Sequence, residues 1–394
     1  MRTEALKAWL CMVKTNPHDH HLYKVRMMEL KELSQAAGYD IVGSTIQVNK
    51  KENVAFVVGK GKLEEIRQQV VEKKIDTVIF YNTLTSKQRY NLERMLGTEV
   101  LDRYDLTLKI FDISSSDKAS KIQIKLARLL KEIPYQKLLA SIRFKTGREH
   151  PGPRGLGEYA YHEIIANLLK RKSLLEEEIE RMQKEKIMQL ERRRRLGIPT
   201  VCITGYYNAG KTSLFNALTN LKKPVSPRPF TTLTSKYYLI PYGNLKIFLV
   251  DTIGFVMDLD PRLIEAFGLT LEDIKLSDVI VLTVDISDPL ELMFLKVKTC
   301  LDFLNILFID KNRIVIAFNK YDLVETKVDA ELRIKKIQPL IQGLDYCIIS
   351  AKEKTGFNDL FKIISSKILQ LCKNIEKSKI NLASDGNLSG SNKL

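Results

Sequence analysis

Gly205-Tyr206-Tyr207-Asn208-Ala209-Gly210-Lys211-Thr212 matches GxxxxGK[ST], the pattern of a loop that cradles phosphates. Its neighbours supply the context such a loop needs. Pro199-Thr200-Val201-Cys202-Ile203-Thr204 reads as a short buried strand entering it, and Ser213-Leu214-Phe215-Asn216-Ala217-Leu218 as the helix leaving it. Strand, glycine loop and helix let consecutive backbone N–H groups face one anion. Asn208, Ala209, Gly210 and Ser213 belong to that cradle. Lys211 adds a point charge at the outer phosphates, and the Thr212 hydroxyl can ligate Mg2+. The loop alone announces a nucleoside triphosphate and leaves the base open.

Three later motifs narrow the reading. Asp251-Thr252-Ile253-Gly254 follows the strand-like run Leu245 to Val250. Asp251 can hold a water of the Mg2+ shell, and the Gly254 N–H can contact the γ-phosphate and sense its loss. Asn319-Lys320-Tyr321-Asp322 follows the run Arg313 to Phe318. A carboxylate at Asp322 can accept two hydrogen bonds from guanine, whereas adenine would leave that charge unpaired. Asn319 can bridge base and loop, and the Lys320 stem can lie along the ring. Ser350-Ala351-Lys352 follows the run Cys347 to Ile349, where a backbone N–H can reach guanine O6. Each motif is weak alone. Four in this order, each at a strand end, specify a doubly wound α/β sheet that binds GTP and GDP with Mg2+. Between the first two lies Pro227-Arg228-Pro229-Phe230-Thr231-Thr232. A threonine there, Thr232 or alternatively Thr231, can complete the Mg2+ shell when the γ-phosphate is present. Lys211, Thr232 and Gly254 are the catalytic candidates.

The 394 residues allow two or three domains. A formal net charge of +16 points to a polyanionic partner or to a generally lysine-rich surface. The five cysteines form no CxxC pair, so neither disulfides nor a zinc site are expected, which fits a reducing cytosol. The apolar run Ala8 to Val13 is too short for a signal-peptide core. No stretch approaches a membrane span, and no lipidation motif or amphipathic anchor is visible, so a membrane partner is not expected.

The chain divides into blocks. Residues 1–112 alternate strand patterns (Ile41 to Val48, Thr77 to Tyr81, Thr98 to Leu101) with helical ones (Leu63 to Lys73, Ser86 to Leu96), predicting a small, mostly parallel α/β domain. Within it, Gly59-Lys60-Gly61-Lys62 is either a phosphate-holding turn or a plain glycine turn with solvated lysines. Residues 113–196 carry two apolar seams, Ile122, Leu126, Leu129, Ile133, Ala140 and Ile165, Leu168, Leu175, Ile179, Met182. These predict two long helices packed as an antiparallel hairpin, the first kinked at Pro134. The tip, Lys145 to Gly157, is rich in Gly and Pro and carries Lys145, Arg148 and Arg154 as RNA-contact candidates. Arg192 to Arg195 either bind phosphate or form a solvated helix end. Residues 197–372 form the nucleotide domain, and 373–394 a polar tail expected to be disordered.

Over residues 39 to 372 the chain resembles the HflX GTPases. The likeness rests on Val58-Gly59-Lys60-Gly61-Lys62-Leu63-Glu64-Glu65, Val100-Leu101-Asp102-Arg103, Gly152-Pro153-Arg154-Gly155-Leu156-Gly157-Glu158 and Asp251-Thr252-Ile253-Gly254-Phe255. The resemblance implies a cytoplasmic GTP hydrolase that binds the large ribosomal subunit. It also implies that the N-terminal domain and hairpin reach rRNA near the peptidyl transferase centre; some members split ribosomes. Bacterial members often carry a further C-terminal domain, whereas a short Lys/Asn/Ser tail stands here. The chain is expected to act as a monomer. Phe255 stands where many GTPases carry a water-orienting glutamine. It is a packed switch-loop hydrophobe, a sign that hydrolysis is slow until a partner reshapes the site, or both. A GTP-gated RNA-binding or assembly factor with negligible catalysis is the alternative function.

Overall fold

The computed structural model describes residues 5–115, 117–146, 156–221, 236–242 and 245–371. The described residues form two compact units. One lies within residues 1–185 and 259–269, the other within 186–226, 235–258 and 270–394.

The first unit is built on β1 (Leu6–Lys14), α1 (His20–Ala36), β2 (Tyr39–Val48), α2 (Lys60–Lys73), β3 (Thr77–Phe80), α3 (Ser86–Leu96), β4 (Glu99–Asp102) and α4 (Arg103–Ser114). Its four strands are all parallel, in the order β2-β1-β3-β4. The strand β1 is therefore an inner strand. Residues Ala8 to Lys14 are buried without alternation, as expected where helices cover both faces of a parallel sheet. That pattern is why the run reads from sequence only as a short apolar stretch. Gly43 of β2 lies under the Trp9 ring, which any Cβ there would strike.

The turn Gly59-Lys60-Gly61-Lys62 opens α2. Gly59 is the N-cap, its amide donates to Gln47 Oε1 at 2.8 Å, and Lys62 pairs with Glu65. The Leu101-Asp102-Arg103 segment is a structural junction. Asp102 caps α4 in a reciprocal capping box with Asp105. Lys131 sits 2.6 Å from a carboxylate oxygen of each. Arg103 forms a buried ion pair with Glu29 and covers the Tyr81 ring. Burial and the neighbouring Asp102 charge raise the Asp105 pKa to about 6.

Two long helices follow, α5 (Lys118–Thr146) and α6 (Leu156–Arg195). The first continues through Pro134. Both helices run further into the expected 145–157 loop than its composition suggests. The strong breakers, Gly147, Pro151, Gly152 and Pro153, begin only after Thr146. Residues 147–155 lie outside the described ones. Ile122, Leu126 and Leu130 share one apolar cluster with Leu175, Ile179 and Met182, and Lys118 pairs with Glu178. Seam residues from both helices thus meet.

The second unit contains β5 (Thr200–Gly205), α7 (Lys211–Thr219), β6 (Lys236–Tyr242), β7 (Leu245–Asp251), β8 (Val279–Asp285), α10 (Leu290–Ile306), β9 (Ile314–Asn319), α11 (Lys327–Ile341), β10 (Asp345–Ile348) and a last helix over 357–371. Two short helices lie between β7 and β8 in sequence: α8 (Pro261–Ala266), which belongs to the first unit, and α9 (Gly268–Leu276), most of which belongs to the second. The sheet order is β10-β9-β8-β5-β7-β6, parallel except for the antiparallel edge strand β6. β8 and β9 are buried along their whole length. The carboxyl ends of β5, β7, β8 and β9 therefore open on one rim, where such sheets bind ligands.

The arginine run ending α6 is partly a packing device. The Arg193 guanidinium covers the rings of Tyr237 and Phe248, at 4.2 and 4.7 Å from their centroids. Lys186 and Tyr237 both bond the fully buried Asp273. Cys11, Cys202, Cys300 and Cys347 are buried free thiols. Among the described residues no helix is long and apolar enough to cross a membrane.

Candidate nucleotide-binding site

The phosphate loop joins β5 to α7, and its shape is set by residues that must take positive φ. Gly210 has φ +89°, and a Cβ there would collide with Asn319 Nδ2. Asn208 has φ +60°, a region asparagine tolerates better than most residues. Gly210 caps α7 without any side-chain hydrogen bond. The first-turn N–H groups of such a helix need an acceptor, and together with the helix dipole they favour an anion.

Lys211 begins α7 and is buried, its ammonium donating to Tyr206 O at 2.8 Å. Burial pulls its pKa down to about 8, against the opposing pull of Asp251. A cation held there gains from any anion entering the loop. Asp251, at the end of β7, is fully buried, and Thr212 Oγ1 donates to its Oδ2 at 3.2 Å. Thr252 turns its hydroxyl back to Ile203 O at 3.0 Å. Gly254 then passes close beside the lysine. A Cβ on it would lie 2.8 Å from Lys211 Nζ and 3.1 Å from Tyr207 Cα.

Phe255 locks this segment to the phosphate loop. Its N–H donates to Gly205 O, and its carbonyl accepts from Tyr207 N, both at 2.9 Å. Its ring is buried, 4.5 Å from the Phe303 ring. The side chain therefore belongs to the core and cannot orient water.

On the other side of the loop, Asn319 ties three segments together. Its Nδ2 donates to Ala209 O at 3.0 Å, and its Oδ1 accepts from Ala351 N at 2.9 Å. Asp322 Oδ1 accepts from Ser350 Oγ at 2.6 Å, while the exposed Lys352 ammonium lies 3.7 Å from Oδ2. Residues 208–213, Asp251, Gly254, Asn319, Lys320, Asp322 and 350–352 thus gather on one rim of one unit. Lys145 lies in the last turn of α5. Arg148, Arg154, Thr231 and Thr232 lie outside the described residues.

The sequence reading passed over two acidic residues of this rim. Asp285 ends β8 and its Oδ2 lies 2.5 Å from Lys320 Nζ. Asp288 pairs with Lys296 at 2.7 Å, and burial raises its pKa. That lysine lies over the Tyr206 ring at 5.4 Å. The available signal was position: Asp285 closes the strand between those carrying the phosphate loop and Asn319, where ligand contacts concentrate.

Comparison with known proteins agrees with this geometry. Residues 24–112 match the family described as GTP-binding GTPase N-terminal, and residues 200–320 match the family described as 50S ribosome-binding GTPase. A GTPase HflX from Thermofilum pendens is 36% identical over 336 residues, covering 85% of this chain and 78% of its own length. The chain belongs to the HflX GTPases. It is accordingly a GTP-binding protein and a GTP hydrolase of a ribosome-associated family. An HflX from Thermococcus kodakarensis is 35% identical, covering 88% of this chain and 78% of its own length. Among solved structures, that of SsGBP in complex with GDP is 29% identical, covers 93% of this chain and 99% of its own, and superposes with a TM-score of 0.50.

Proposed function

We propose that this HflX-family GTPase associates with the large ribosomal subunit in a nucleotide-dependent way and turns over slowly until the subunit reshapes its site. The observation that carries the proposal is Phe255. The position after Gly254 holds an aromatic ring packed on Phe303, so the chain offers no side chain there to orient the attacking water. A GTPase lacking that group relies on positioning and charge until a partner supplies the remainder.

The geometry supports the following roles. The α7 N-terminus and Lys211 take the phosphates. Asp322 accepts from the guanine edge, Asn319 holds base loop and phosphate loop in register, and Ser350-Ala351-Lys352 closes over the base. Gly254 passes beside Lys211 Nζ, so its N–H can follow the outer phosphate. The donor set fits Mg2+ carried in with a nucleotide. Thr212 and Asp251 offer one hydroxyl and one carboxylate, and no group of three or more His, Cys, Asp or Glu among the described residues forms a cage of its own. Thr232, or its neighbour Thr231, is assigned the remaining protein ligand. Mg2+ when bound neutralises charge developing between the outer phosphates.

GTP would order Thr232 and Gly254 together and fix the ribosome-binding form, and hydrolysis would release it. Lys145, Arg148 and Arg154 are assigned to rRNA contact, with the protein acting as a cytoplasmic monomer. Support comes from the net charge of +16 and the basic Gly/Pro-rich segment between the two long helices. The test is co-sedimentation with purified ribosomal subunits. Binding to the large subunit that is stronger with a non-hydrolysable GTP analogue than with GDP is expected. Equal binding in both states would refute the nucleotide gate.

A further inference from the structure

We infer that Asp285 is a positioning residue of the guanine site, acting through Lys320. The inference rests on the assignment of Asn319, Lys320 and Asp322 to the base. Lys320 leaves β9 with φ +64°, a turn that carries its stem out of the sheet. A four-carbon stem laid along a purine is useful only if its far end is held. Otherwise its rotamer freedom must be surrendered at each binding event. Asp285 holds that end, its Oδ2 lying 2.5 Å from Lys320 Nζ.

The holding group is itself fixed. Asp285 is 8% exposed. Its other oxygen accepts from the Ser287 amide at 3.0 Å and the Ser287 hydroxyl at 2.6 Å. In the β8–β9 register Asp285 stands opposite Asn319, and the next amide, Ile286 N, donates to Asn319 O at 3.0 Å. Arg333 of α11 ties down the same loop through the carbonyls of Asp288, at 2.7 Å, and Ile286, at 3.3 Å. One carboxylate oxygen thus anchors the loop and the other anchors Lys320. The site has two acidic residues with different tasks: Asp322 faces the base edge, and Asp285 aims the lysine that flanks the ring. A lysine held by this ion pair has less rotamer freedom left to lose when the base binds.

The experiment is a double-mutant cycle on the full chain, reading GDP affinity and release with a fluorescent GDP. Asp285→Asn keeps the side-chain shape and an acceptor for Ser287 but removes the charge opposite Lys320. It should weaken GDP roughly three- to ten-fold, the order expected when one rotamer-rich side chain must be immobilised at binding. The loss should lie mainly in faster release and a higher KM, with a smaller change in kcat. Lys320→Met should show a similar loss, and Asp285→Asn added to it should cost no more. Asp285→Glu, which keeps the charge, should recover most of the affinity and serves as the second variant if Asp285→Asn folds poorly. An unchanged affinity, or an Asp285→Asn effect that persists in full in the Lys320→Met background, would overturn the inference. In the same assay Asp322→Asn reports on the base site. If that change leaves GDP affinity intact, the base-site assignment falls and this inference with it.

Discussion

Gly210→Ala tests how tightly the phosphate loop is coupled to the base-binding side. Gly210 has φ +89°, so alanine there adopts a left-handed conformation at a cost of about 1–2 kcal/mol. The new methyl also meets Asn319 Nδ2. To clear it, Asn319 must give up its 3.0 Å hydrogen bond to Ala209 O, worth about 0.5–1.5 kcal/mol net. Together these predict about 1.5–3.5 kcal/mol of lost stability in urea unfolding. The same displacement uncouples Asn319 from the loop it registers, so GDP affinity should fall at least tenfold, about 1.4 kcal/mol. The control is Gly61→Ala. Gly61 lies in the first turn of α2, and an added Cβ meets nothing within 4 Å, so this change should be neutral or stabilise by about 0.4–1 kcal/mol. If Gly210→Ala binds GDP within twofold of wild type and unfolds at the same urea concentration, the coupling through Asn319 is wrong.

Further outcomes are open to measurement. Asp322→Asn should weaken GTP by more than about tenfold and shift preference toward xanthosine nucleotide, because the amide no longer accepts both guanine donors; competition binding decides this. Lys211 has its folded pKa depressed to about 8 from an ordinary 10.5. Between those values the unfolded chain holds more protons, so Lys211 makes the nucleotide-free protein more stable as pH rises through that window. Triphosphate binding should reverse the depression and take up a proton above about pH 8. Calorimetry in buffers of different ionisation enthalpy should detect that uptake in wild type and not in Lys211→Ala. Glu29→Ala leaves the Arg103 charge buried and should cost about 3–5 kcal/mol in denaturant unfolding without changing GDP affinity. Neutralising Arg148 and Arg154 should weaken rRNA binding and lower the log–log salt slope by about 1.5–2; an unchanged slope removes them from the contact surface.

What was legible in the sequence tracks where local rules dominate. The phosphate loop, Asp251-x-x-Gly254 and Asn319-x-x-Asp322 were readable because each needs particular residues at fixed spacing beside a strand. The strand β1 was not readable as an inner strand: with both faces covered, Ala8 to Lys14 show no alternation. Helices α1 and α4 were missed for a related reason. The buried Glu29 of α1 and Arg103 of α4 look solvent-facing in sequence, and only the fold shows them paired with one another. Arg193 stacks on rings 44 and 55 residues away, which no local pattern announces. Asp285 looked like an ordinary strand end because its partner, Lys320, is distant in sequence. The edge strand β6 was passed over because its alternation is weak and it contains Pro241, a residue that argues against a strand except at a sheet edge.

The central claim is that the chain binds GTP competently and hydrolyses it slowly until the large ribosomal subunit completes the site. Single-turnover GTP hydrolysis, with and without purified large subunits, tests it most directly. The account predicts a slow basal rate that rises by at least about tenfold on adding large subunits, and no rise with Asp251→Asn. A fast basal rate that ribosomal subunits leave unchanged would contradict it.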